Sequence, residues 1–453
     1  MVIATSDSNG TLISLNAQRG KRQQQQQQQQ QGLLKRSSSL ELFRANNPST
    51  HAHAFQPTHL LLPDDDDFDD DDESFYSCSS QGQSLQSLPK PPAPTRDCLY
   101  LPVPPKNTAD PPTALHMDEC LPCLPCLQTR AEDLLAQTPV HFTPTTRTRV
   151  LYVGQQEAAH AVPLQCDVVL SDKATTCHVL ILRSSRHNAV PLTTVAHLDG
   201  TSYDNCVRTL VQRHLQHHFA MDDSLIQGGQ TGNALLLQQQ EEEEKKQDSD
   251  TEDLLELDVH ILGGFLDANG TSREISNWLL RLLAEIAQEH AHRMVTTLQT
   301  CVLSAMNDDG HRAPRGRGLG IDVRTGRVFL ATCDAAVAGP DLSLRALRLW
   351  RQDGVPPRLA VIHEVKLNMI QVAPFDFLPF DDLDYLLSLP DAELLQYTST
   401  SPHCEDANFC HRMRATLVFL RDVSPNSVFG PDRNRTRYFK RLGFSNTWKA
   451  LHA

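Results

Sequence analysis

The chain cannot use its whole length to build a core, and that limit shapes every other reading of it. Of 453 residues, the first 145 or so are biased and polar. Polyglutamine fills Gln23 to Gln31, an acidic block runs from Asp64 to Glu73, and proline is dense from Pro89 to Pro112. Such segments carry too few apolar side chains to offset the entropy of ordering, so residues 1–145 read as a disordered extension. A second biased tract, Gln238 to Lys246, marks a solvated insertion over about 226–252. One domain, 146–425, is left to carry the chemistry, with 426–453 as a C-terminal tail.

Within that domain Arg149 to Val153 and Val179 to Leu182 read as strands, the second a short apolar run of the buried kind. Leu257 to Phe265 alternates and then breaks at Gly263-Gly264, a turn or close-approach signal. The clearest helix follows. Thr271 and Glu274 form a capping-box pattern, and Ile275, Trp278, Leu279, Leu282, Leu283 and Ile286 recur at helical spacing. Leu319 to Leu330 predicts a strand pair turning at Gly326, and Phe409 to Leu420 a last amphipathic helix. Strands and helices without strict alternation predict an α+β fold, a mixed sheet or sandwich flanked by helices.

Charge and cysteine usage narrow the function classes. The formal net charge is −14 and no basic stripe stands out, so a nucleic-acid partner is not expected. No apolar run is long enough to span a bilayer, and Met1 to Gly10 lacks a secretory pattern. A cytoplasmic, or also nuclear, protein is expected, with its 12 cysteines mostly reduced.

The stretch Ser171 to Arg183 (SDKATTCHVLILR) holds the most chemistry. Cys177 sits where a Thr-rich approach enters a buried strand, a place where loops expose a side chain and the scaffold holds it. A free thiol, with a pKa of roughly 8.5, needs a nearby imidazole to act as a nucleophile near neutral pH. His178 adjoins it but would point to the opposite face of a strand. His197, in AHLDGT at the end of a second apolar run, could be brought alongside by a neighbouring strand. Spacing alone favours a small buried thiol and a surface histidine over that pair.

Other clusters compete less well. Cys120, Cys123 and Cys126 follow His116, but three thiols in a proline-broken segment fit a zinc site poorly. His214, His217 and His218 read as a partly exposed helix face, and Cys301, Cys333, Cys404 and Cys410 as buried or incidental thiols. No phosphate-cradling glycine loop is present.

Taken in order, DKATTCH at 172–178, HLDGT at 197–201, HILGGFLD at 260–267, STSP at 399–402 and RMRATLVFL at 412–420 resemble the protein N-terminal asparagine amidohydrolase family. The match spans roughly residues 150 to 422. It implies hydrolysis of the side-chain amide of an N-terminal asparagine to aspartate, which exposes a degradation signal read after arginylation. It implies Cys177 as nucleophile, and no metal or cofactor. A more distant resemblance to Cys–His glutamine deamidases implies His197 as acid and base, oriented by a neighbouring oxygen for which Asp172, Thr175 and Asp199 are the nearest candidates. Asp172, Thr176 and Asp199 are expected to contact substrate, with Asp267, Glu364 and Asp376 as further carboxylates for its α-ammonium. The expected partners are proteins with a free N-terminal Asn, met by a monomer. Two alternatives stay open: another Cys–His amidase such as a glutamine deamidase, and a non-catalytic module that binds N-terminal Asn.

Overall fold

The computed structural model describes residues 124–226 (side chains through 219), 254–350 and 358–451. All belong to the second of the chain's two structural units, Pro91–Ala453. The polyglutamine, acidic and proline-rich tracts, His116, Cys120, Cys123 and the insertion from 227 onward lie outside the described residues.

In chain order the elements are α1 (Pro125–Leu135), β1 (Val140–Phe142), β2 (Val150–Tyr152), β3 (Glu157–Ala161), β4 (Val168–Ser171), β5 (His178–Ser185), β6 (Leu192–Leu198), α2 (Asp204–Ile226), β7 (Leu255–Gly263) and α3 (Thr271–Glu289). Then come β8 (Met294–Leu303), β9 (Leu319–Asp322), β10 (Val328–Cys333), α4 (Leu342–Ala346), β11 (Ala360–His363) and β12 (Ile370–Val372). The chain closes with α5 (Leu383–Ser388), α6 (Asp391–Thr398), α7 (Phe409–Asp422), α8 (Pro425–Phe429), β13 (Arg437–Arg441) and β14 (Trp448–Leu451).

These strands make two mixed sheets. One has five strands in the order β1-β10-β9-β4-β2; the other has nine, β14-β13-β12-β11-β3-β6-β5-β7-β8. The α+β class read from the sequence is therefore what the chain adopts. Two boundaries move. Residues 125–142, counted in the extension, form α1 and β1, and the presumed tail supplies β13 and β14 at the edge of the large sheet. Helix α1 is held by burial of Leu127, Ala131 and Leu134, whereas β1, β13 and β14 are short strands that become regular by pairing.

The alternation of strand side chains builds three apolar layers. Leu151, Val169 and Ile321 of the small sheet pack against Val179, Ile181, Val195 and Leu262 of the large one, forming the sandwich interior. On the other face of the large sheet, Leu180, Leu182 and Ala196 meet Val207, Leu210 and Val211 of α2 and Leu279 and Leu283 of α3. Val150, Val168, Leu170 and Phe329 cover the outer face of the small sheet. Each such buried aliphatic side chain contributes about 1.5–3 kcal/mol. Because β4 and β5 are covered on both faces, they read as continuous apolar runs.

Local chemistry departs from the sequence reading in two places. Helix α3 has no capping box: its N-cap is Gly270, in the left-handed region at φ 72°, and the Asp267 carboxylate accepts the N–H groups of Thr271 and Ser272 at 3.0 and 2.9 Å. A carboxylate four residues upstream thus satisfies the orphan donors. The histidines of α2 do not form an exposed face either. His214 and His218 are buried in a chain that runs His160 Nδ1–Thr194 Oγ1 (2.7 Å), Thr194 Oγ1–His214 Nε2 (2.8 Å), His214 Nδ1–Ser184 Oγ (2.7 Å) and Ser184 Oγ–His218 Nε2 (2.9 Å). Hydroxyls on β5 and β6 make those imidazoles tolerable inside, and α2 turns that edge towards the sheet. Cys301, Cys333, Cys404 and Cys410 are buried free thiols, as read. No helix among the described residues is long and apolar enough to cross a membrane.

Candidate active site

Strands β5 and β6 pair antiparallel with Val179 opposite His197 and His178 opposite Leu198. Side chains alternate along a strand, so His197 shares the face of Val195, and Cys177, one residue before β5, shares that of Val179. Both Val179 and Val195 belong to the sandwich interior, as does Cys177. The register therefore turns the thiol and the imidazole to the same face of neighbouring strands; a slip of one residue would send one of them to the helices. His178 does point the other way, to Ser276 on α3.

His197 is almost fully buried. Its Nδ1 is hydrogen-bonded at 2.8 Å to the Oγ of Ser171, the last residue of β4. Its Nε2 has no hydrogen-bond partner. With the proton on Nδ1, that nitrogen donates to Ser171 and Nε2 keeps a free lone pair. The orienting oxygen is thus Ser171, not Asp172, Thr175 or Asp199. The sequence signal for it was the Ser that opens the SDKATTCH run. Only the pairing of the two sheets shows that it reaches the histidine.

Burial and charge set the protonation states. Burial pulls the His197 imidazole down to about 4, against the opposite pull of the Asp199, Asp172 and Glu157 carboxylates. Burial pushes the Cys177 thiol up, and Asp199 and Glu405 push it further; the Thr176 hydroxyl and the backbone N–H of Cys177 oppose them. Both shifts favour the neutral forms, a thiol and an imidazole on one face of the sheet.

The remaining predicted residues divide. Thr176 and Asp199 lie at the centre. Thr176 Oγ1 contacts Thr400 Oγ1 at 3.1 Å, which brings the STSP block onto the Cys block across 224 residues of sequence. Asp199 accepts Gln155 Nε2 and Gln156 Nε2, each at 2.9 Å, and the Tyr203 hydroxyl. Asp172 is turned aside: its carboxylate accepts the Cys333 N–H at 3.1 Å and holds the Lys173 ammonium at 2.7 Å. Asp267 caps α3, Glu364 pairs with Arg213 at 2.7 Å, and Asp376 pairs with Arg433 at 3.0 Å, so these three are engaged elsewhere. Glu405 is the carboxylate that sequence reasoning missed. It accepts Ser399 Oγ at 2.5 Å, and burial raises it above its ordinary value.

The Gly-Gly block explains itself here. A Cβ on Gly263 would fall 2.3 Å from the Cys177 carbonyl oxygen, and Gly264, at φ 66°, donates its N–H to that same oxygen at 3.1 Å. Only glycine lets β7 lie this close to the backbone of Cys177.

A thiol, an oriented imidazole and nearby carboxylates are chemically suited to hydrolysis of a carboxamide through a thioester. Comparison with known proteins places this one among the amidohydrolases, enzymes that cleave the C–N bond of amides. The chain belongs to the protein N-terminal asparagine amidohydrolase family, whose profile matches residues 140–227 and 227–450. It is 28% identical over 330 residues to the protein N-terminal asparagine amidohydrolase of Sus scrofa, covering 72% of this chain and 91% of that protein. The Mus musculus enzyme of that name is 26% identical over 319 residues, covering 70% and 88%. For the Homo sapiens enzyme the values are 27% over 299 residues, 66% and 82%.

Proposed function

We propose that the protein converts N-terminal asparagine of proteins to aspartate, with Cys177 as nucleophile and His197 as base and acid. One observation carries the mechanism: the buried Nε2 of His197, unpartnered, on the same sheet face as Cys177 and held in orientation through Ser171. His197 takes the thiol proton as sulfur attacks the side-chain carboxamide carbon. The tetrahedral intermediate collapses as His197 protonates the leaving nitrogen, and ammonia departs. His197 then deprotonates water, which cleaves the thioester to give aspartate and the free thiol. Backbone N–H groups near Thr176 to His178 would face the oxyanion; such a donor contributes about 3 kcal/mol.

Selectivity needs a seat for the substrate α-ammonium. Asp199 and Glu405, whose charges both reach Cys177 and whose side-chain hydrogen-bond donors are neutral, fit that seat better than Asp172, which already holds the Lys173 ammonium. A glutamine side chain, one methylene longer, would carry its carboxamide carbon past a fixed sulfur. In a cytoplasmic or nuclear setting, the aspartate product would serve as a degradation signal after arginylation.

The test uses purified protein with peptides that begin in Asn, Gln or acetyl-Asn, or hold Asn internally. Ammonia release and a mass gain of about one dalton report conversion of amide to acid. Conversion of the free Asn peptide alone, abolished in C177A with the fold retained, is expected. Conversion of Gln would move the substrate to that of a glutamine deamidase. Binding of the Asn peptide without turnover would make the protein a binding module.

A further inference from the structure

His178 takes no part in the chemistry above, yet it is more deeply buried than Cys177 beside it. Its imidazole lies on the helix side of the large sheet. Nε2 is 2.7 Å from Ser276 Oγ on α3, and Ser276 Oγ is 3.1 Å from Ser304 Oγ, just past β8. Both serines are buried, and Ser304 is held at φ 43°, a left-handed conformation that costs a non-glycine residue energy. Nδ1 of His178 has no well-aligned hydrogen-bond partner, although the backbone of Thr176 lies close enough to favour the protonated ring against burial.

The ring also depends on the two glycines of β7. A Cβ on Gly263 would lie 2.6 Å from His178 Cα and 3.0 Å from its Cγ, and one on Gly264 would lie 3.1 Å from its Cε1. Asn307 Nδ2 donates to the Gly264 carbonyl at 2.7 Å, which fixes the partner strand. The peptide unit joining Cys177 and His178 is thereby held from three sides: by Gly264 through the Cys177 carbonyl, by α3 through the imidazole, and by β6 through strand pairing. For stability alone, an apolar side chain of similar size would serve as well as this strained and partly unsatisfied polar chain. Its cost at this one peptide unit points to the reaction.

We propose that His178, anchored by Ser276 and Ser304, is a positioning residue that locks the Cys177–His178 peptide, keeping the thiol turned to His197 and the adjoining N–H groups aimed at the oxyanion. The proposal rests on the amidohydrolase reading above. The His178 imidazole touches neither substrate nor the reacting atoms; it acts through the backbone to which it is attached.

The test compares full-length wild type with S276A, H178L and H178Q. Readouts are kcat and KM on an N-terminal Asn peptide, the rate of Cys177 alkylation by iodoacetamide at pH 9, and the melting temperature. S276A removes the anchor and keeps the ring; H178L fills the space without a hydrogen bond; H178Q restores a donor at similar reach. S276A and H178L are expected to lose about tenfold or more in kcat with KM within twofold of wild type, and H178Q to regain part of the loss. Their alkylation rates should differ from wild type at least threefold. Wild-type kcat in S276A and H178Q, whatever their melting temperatures, would overturn the proposal. If wild type itself fails to convert the peptide, the amidohydrolase reading fails, and unchanged alkylation in S276A would then overturn the positioning role as well.

Discussion

Ser171 Oγ and His197 Nδ1 meet at 2.8 Å between the two sheets, and Nε2 of His197 is left without a partner, a free lone pair when the proton is on Nδ1. A serine hydroxyl orients a neutral imidazole without adding charge, and it sits on β4 of the small sheet while the histidine belongs to the large one. The sandwich interface itself sets the orientation of the imidazole proposed above as the base.

Replacing that serine tests the point. S171A should lower kcat about ten- to a hundredfold with little change in KM, because a loosened imidazole spends less time aligned with the thiol. Steady-state kinetics on an N-terminal Asn peptide decide it; unchanged kcat would remove Ser171 from the mechanism.

The charges around the thiol make a second prediction. Asp199 and Glu405 both raise the Cys177 thiol, so D199N and E405Q should each lower it. Alkylation by iodoacetamide at pH 8, slow in wild type, should become about two- to tenfold faster in either variant. If these carboxylates also seat the α-ammonium, KM for the Asn peptide rises in the same proteins. Faster alkylation with unchanged KM would separate the two roles.

Gly263 and Gly264 should tolerate substitution differently. G264A forces a non-glycine residue to φ 66° and sets a methyl 2.8 Å from Ser272 Cβ, so a stability loss of roughly 1–3 kcal/mol is expected. G263A drives a methyl into the Cys177 carbonyl, and should cost activity out of proportion to stability. Urea titrations and kcat measured side by side would show the contrast.

Acid should unfold the protein through its buried histidines. His160, His197 and His218 are held near 4 and His178 near 3, in each case first by burial. An unfolded histidine titrates near 6.5, so below that pH the unfolded chain binds more protons than the folded one. The stability these groups confer is complete above about 6.5 and is lost as pH falls through 4. Urea midpoints at pH 7.5, 6 and 5 should fall in that order. At pH 7.5, T194V should cost about 1–3 kcal/mol by stranding His160 and His214; a flat series would contradict the neutral-histidine account.

Much of this protein was legible along the chain. Periodicity placed β5, β7, α3 and α7, the turn at Gly326 sits at φ 77° as a hairpin glycine should, and the Cys, HLDGT and Gly-Gly blocks all converge near Cys177. These are local signals: side-chain period, backbone conformation and residue type, each settled within a few positions. Tertiary structure alone decided which groups meet. Ser171 reached His197 because β4 faces β6 across the sandwich, and Thr400 with Glu405 reached the Cys177 loop from more than 200 residues away. The same holds for the buried His214, and for β13 and β14, whose polar sequence becomes strand only through pairing. Sequence determines the faces of each element; which faces are pressed together, and so which polar atoms lose water and must find one another, is set by the packing of the two sheets.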